Sequence, residues 1–96
     1  MLKVKSGVTP HNLVIAAAAT NAAWDLPFDV VITSGTDGTH KVGSKHYGGD
    51  ALDFRTSNIP ADLLNLYIAR VKARLGKHYD VVLEGDHLHI EFDPKP

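Results

Sequence analysis

Six histidines and no cysteine among 96 residues restrict any metal chemistry in this chain to imidazole and carboxylate ligands. His46 closes a glycine-rich polar stretch, and Asp53 follows it within the segment DALDFR. Between them Gly48 and Gly49 let the backbone turn, so that both side chains can converge. His89, in the C-terminal segment HLHIEF, adds a second imidazole. Two imidazoles and one carboxylate from three separate segments are a usual set for catalytic Zn2+, with a fourth position left for water. Glu84 and Asp86 are the neighbouring carboxylates that could take a proton from such a water.

The elements that must position these groups can be read from periodicity and punctuation. Thr9-Pro10 reads as N-cap and first residue of a helix that runs to about Trp24 and stops before Pro27. Residues 28–33 (FDVVIT) are rich in β-branched side chains and predict a strand, and residues 34–49 form a long polar loop. Residues 50–55 predict a second strand, with Leu52 and Phe54 facing the core and Ala51, Asp53 and Arg55 the other side. A second helix begins at Pro60, capped by Ser57 or Asn58, and carries Leu63, Leu64, Tyr67, Ile68, Val71 and Leu75 at helical spacing. Gly76 ends it, and Arg70, Lys72, Arg74 and Lys77 lie on its solvated side.

The C-terminal segment predicts a hairpin: residues 80–84 and 87–92 flank Gly85-Asp86, a pair suited to a type II′ turn. Glu84 should then face His87, Val82 should face His89, and Asp80 should face Glu91. Val81, Leu83, Leu88, Ile90 and Phe92 point to one side, and Glu84, His87, His89 and Glu91 to the other. The expected fold is therefore α+β: a small antiparallel sheet with two helices packed on one face and a zinc site on the other.

Composition narrows the function classes. The length suits a single domain over residues 1–96, and 44% apolar residues suffice for a core. A net charge of −1 lacks the basic footprint of a nucleic-acid binder. The longest apolar stretch, Leu13–Ala19, is far short of the roughly 18 residues of a membrane span. Lys3 and Lys5 give a basic start, but Pro10, His11 and Asn12 break the segment after them, so no signal peptide is expected. The expectation is synthesis in the cytoplasm, with release by lysis or incorporation in a virion. His11 and His78 are expected to be exposed at a helix start and a helix exit, and Trp24, Tyr67 and Tyr79 to serve packing.

Ser44-x-His46-x-x-Gly49-x-Ala51-x-Asp53 resembles the signature of the zinc D-alanyl-D-alanine carboxypeptidases, a family that includes D,D-dipeptidases and phage L-alanyl-D-glutamate endolysins and shares its metal centre with the hedgehog signalling domain. With the later His-x-His strand, the resemblance covers residues 33–93, and the compact loop is similar to small phage and prophage members. It implies that His46 and Asp53 are the first two zinc ligands and His89 the third, with His87 beside the metal to stabilise developing charge or shuttle protons. It also implies a base preceding the third ligand: Glu84 by residue type and strand face, or Asp86 by spacing to His89. The substrate implied is the peptide stem of peptidoglycan; the sequence leaves the oligomeric state open, and a monomer is the default expectation.

Members usually carry an arginine after a Ser-Gly pair, whereas Ser34-Gly35 is followed here by Thr36-Asp37-Gly38-Thr39-His40. Ser44, His40 and Arg55 are the candidate substrate contacts, with Lys41 and Lys45 as weaker substitutes because lysine lacks the bidentate fork. Without that arginine, a zinc-binding module that recognises cell wall and does not hydrolyse it is the competing expectation, and a metal-free domain is the plainest one.

Overall fold

A computed structural model of the chain describes residues 2–4, 10–34 and 51–94. The elements are β1 (Leu2–Val4), α1 (Pro10–Ala22), β2 (Val30–Ser34), β3 (Ala51–Arg55), α2 (Ala61–Leu75), β4 (Tyr79–Glu84) and β5 (His87–Phe92). The strands form one sheet in the order β1-β2-β3-β5-β4. Along β2-β3-β5-β4 each strand is antiparallel to its neighbours, as expected, whereas β1 adds a parallel edge strand beside β2. Three residues cannot display an alternation, so β1 leaves no periodic signal; the α1 crossover makes its parallel pairing possible.

Apolar alternation sorts the sheet as expected. Ile32, Leu52, Phe54, Leu88 and Ile90 meet Ile15, Ala16 and Ala19 of α1 and Tyr67 and Val71 of α2 in one core. Both helices thus cover one face, and the alternate residues of β3 and β5 occupy the other. The hairpin register pairs Glu84 with His87, Val82 with His89 and Asp80 with Glu91, as the turn predicts. Gly85 has φ 56° and Asp86 has no positive φ, which fits type II′ and excludes type I′. Of the expected inward set, Leu83 near the turn stays exposed.

The end of α1 is finished half by α2 and half by local turns. Its last four carbonyls have no partner within the helix. Tyr67 Oη donates to Ala19 O (3.0 Å), and Arg70 Nη1 donates to Ala22 O (3.3 Å). The other two are taken by local turns, Ala23 N–H to Thr20 O and Trp24 N–H to Asn21 O. α1 therefore stops before Trp24, and the indole, expected to pack, is 77% exposed. Arg70, expected on the solvated side, also bridges to Asp25 Oδ1 at 2.6 Å. Lys72, Arg74 and Lys77 are exposed as expected, while His78 is half-buried, its carbonyl accepting Asp93 N–H.

The start of α2 departs from expectation. Pro60, and not Ser57 or Asn58, is the N-cap, and having no polar side chain it makes no cap bond; the Asn58 amide donates to Asp29 O at 2.8 Å, tying the turn to the approach of β2. Gly76 closes the helix at φ 82°, a left-handed conformation that favours glycine, and its N–H reaches Lys72 O. No helix among the described residues is long and apolar enough to cross a membrane.

Candidate metal centre

The face of the sheet opposite the helices is a grid centred on β5. In the first row Arg55 of β3 and Glu84 of β4 flank His87; in the second Asp53 and Val82 flank His89; in the third Ala51 and Asp80 flank Glu91. Strand alternation places all nine side chains on one face, and antiparallel pairing brings opposite residues within reach. His89 is the centre of the grid. On the far side of Asp53, β2 loses register between Ile32 and Ser34, so an extra residue is accommodated there and Ser34 pairs with Asp53. Thr33 Oγ1 donates to Asp53 O at 3.4 Å, holding this irregular edge to β3.

Asp53 and His89, expected as ligands of one ion, stand directly opposite each other with Oδ1 and Nδ1 2.7 Å apart. On the other side of the ring, His89 Nε2 lies 2.9 Å from Glu91 Oε1. Carboxylate oxygens accept, so a protonated imidazole here can donate from both ring nitrogens. Desolvation is the largest influence on this ring and opposes the charge. The hydrogen bonds and charges of Asp53 and Glu91 together outweigh it, holding His89 above the ordinary histidine value.

In the next row, His87 Nδ1 lies 3.2 Å from Asp86 Oδ1, and its Nε2 lies 3.5 Å from Glu84 Oε1. The bond to Asp86 raises His87 above its ordinary value; partial desolvation opposes this, and the charges of Asp53, Glu84 and Asp86 reinforce it. The same bond holds the Asp86 carboxyl below the usual range. Asp86 occupies the turn with its side chain 92% exposed, whereas Glu84 shares the face of the two histidines. An open cleft of about 300 Å³ borders this row, lined by Thr33, Asp53, Arg55, Ser57, Asp86 and His87.

Five of the expected groups on β3 and the hairpin, Asp53, Arg55, Glu84, His87 and His89, are thus on one face, with Asp86 at its rim. His46, Ser44 and His40 lie outside the described residues, and among the described residues no three side chains form a group able to hold a metal ion. The two expected ligands that are described suit zinc by their chemistry: loss of one proton from His89 Nδ1 would present a nitrogen lone pair beside a carboxylate oxygen. Glu91 belongs to the polar face by alternation and helps mark His89 as a ligand through the resemblance of His89-Ile90-Glu91 to a His-aromatic-Glu ending, yet sequence reasoning gives Glu91 itself no ligand or catalytic role. Its position two residues after His89 on the same strand face is the signal that could have found it. No protein-family model matches this chain, and no curated protein matches its sequence.

Proposed function

We propose that this chain is a zinc-dependent peptidase that hydrolyses the peptide stems of peptidoglycan. The observation that carries the reading is the cross-strand pair Asp53–His89, with facing oxygen and nitrogen 2.7 Å apart beside a cleft also bordered by His87 and Arg55. Asp53, His89 and, from the sequence signature, His46 would hold the ion. Bound zinc supplies a Lewis acid for the scissile carbonyl and a water acidified to near-neutral pKa.

The remaining work falls to side chains of the face. Glu84, half-exposed on the same face as the two histidines, is placed to accept a proton from the attacking water and return it to the leaving amine. His87, carrying a proton shared with Asp86, can donate from Nε2 to the oxygen on which negative charge develops. Arg55, beside His87 in register, offers the planar fork that a substrate carboxylate needs and that the loop lacks.

The test is incubation of the purified chain with peptidoglycan fragments, with and without a chelator. Release of new amino termini only in the presence of metal is expected. Glu84→Ala should retain one zinc and lose about 10²–10⁴-fold in hydrolysis, as removal of a general base does. Full activity in Glu84→Ala with loss in Asp86→Ala would transfer the base to the turn. Binding to the fragments without release would identify the chain as a cell-wall-recognition module.

A further inference from the structure

We infer that Glu91 is a positioning residue for the proposed ion: its carboxylate holds the Nε2 proton of His89, so that Nδ1, facing Asp53, is the nitrogen that binds. The inference rests on the zinc reading and specifies its ligand atoms. An imidazole that binds a metal through one nitrogen commonly donates its other N–H to a carboxylate or carbonyl, and that partner fixes tautomer and ring orientation. Here both nitrogens face carboxylates, Asp53 Oδ1 at 2.7 Å and Glu91 Oε1 at 2.9 Å. Distance alone therefore leaves two assignments, and surroundings decide between them.

A hydrolytic ion needs an open coordination position. Asp53 keeps 28% of its side chain exposed and lines the open cleft with Arg55 and His87. Glu91 keeps only 10% of its side chain exposed. Ala51, its register partner on β3, brings no polar atom to compete for the ring. A carboxylate so enclosed suits a fixed acceptor for one N–H, and the accessible carboxylate suits a ligand. Strand geometry enforces the division: Asp53 approaches His89 across the sheet, and Glu91 approaches along its own strand.

The experiment measures zinc affinity of the whole chain by competition with a chromogenic chelator, together with 15N spectra of the His89 ring. Glu91→Gln preserves shape and should weaken zinc about 10- to 100-fold, the usual effect of losing such a partner. In zinc-loaded wild type, Nδ1 should show the metal-bound shift and Nε2 a slowly exchanging proton. Glu91→Ala should speed that exchange. A metal-bound Nε2 in the wild type overturns the inference without any variant, and so does wild-type zinc affinity in both Glu91 variants. If wild type binds no zinc, or His89→Ala binds as tightly as wild type, the metal reading itself fails and takes this inference with it.

Discussion

His89 is held above the ordinary histidine value in a partly buried place because carboxylates stand at both ring nitrogens, Asp53 at 2.7 Å and Glu91 at 2.9 Å. Asp25 shows the complementary case at the surface. The hydrogen bond from Arg70 Nη1, at 2.6 Å, holds its carboxyl below the usual value against a small desolvation effect. A depressed folded value means that the pair's stabilisation is complete above the unfolded carboxylate pKa of about 4 and fades as pH falls through the folded value. Urea midpoints of wild type should therefore exceed those of Asp25→Asn near pH 7 and converge with them below about pH 4. Since the pair is exposed, salt should shrink the difference. Midpoints that stay parallel down to pH 2 would contradict this assignment.

At the scale of elements, the junction of α1 and α2 depends on two side chains of α2 that complete the end of α1. Tyr67 is buried, pushed well above its ordinary ionisation range by desolvation, and its hydroxyl donates to Ala19 O at 3.0 Å. Tyr67→Phe keeps the ring and its edge contact with Phe28 but leaves a buried helix-terminal carbonyl without this donor. The expected loss is about 1–3 kcal/mol, read as a lower urea midpoint with an unchanged slope. Periodicity made Tyr67 legible as a core residue, and the hairpin register was legible from Gly85-Asp86 alone. The hydroxyl's partner was not, because Ala19 lies 48 positions away and only helix packing brings it near. Asn58 likewise read as a cap, but the helix starts later, with Pro60 at the cap position, and the partner of the Asn58 amide, Asp29 O, lies 29 positions away, beyond the reach of local sequence.

For the whole molecule, the proposed ion would join β3 to β5, the strands that share the centre of the grid. A ligand that binds only the folded chain stabilises it by about 2.7 kcal/mol at a hundred times its dissociation constant. In a domain of this size that corresponds to a rise of roughly 10–20 °C in the unfolding midpoint. Zinc should produce such a rise in thermal unfolding, a chelator should reverse it, and Asp53→Ala should abolish it. An unshifted midpoint in wild type at saturating zinc would refute a resident metal.

The primary structure determined the faces. Alternation in DALDFR and HLHIEF is a local property of strands, so Asp53, Arg55, His87, His89 and Glu91 were bound to share one side once Leu52, Phe54, Leu88 and Ile90 took the other. A two-residue turn likewise sets the pairing of β4 with β5. Which strand would lie on the other flank of β5 is a non-local outcome. β3 takes that place, aligning Asp53 with His89 and Arg55 with His87, because both strands bury their apolar faces against the same helices. Only that packing brings a second carboxylate to His89 and encloses Glu91, two residues further along β5.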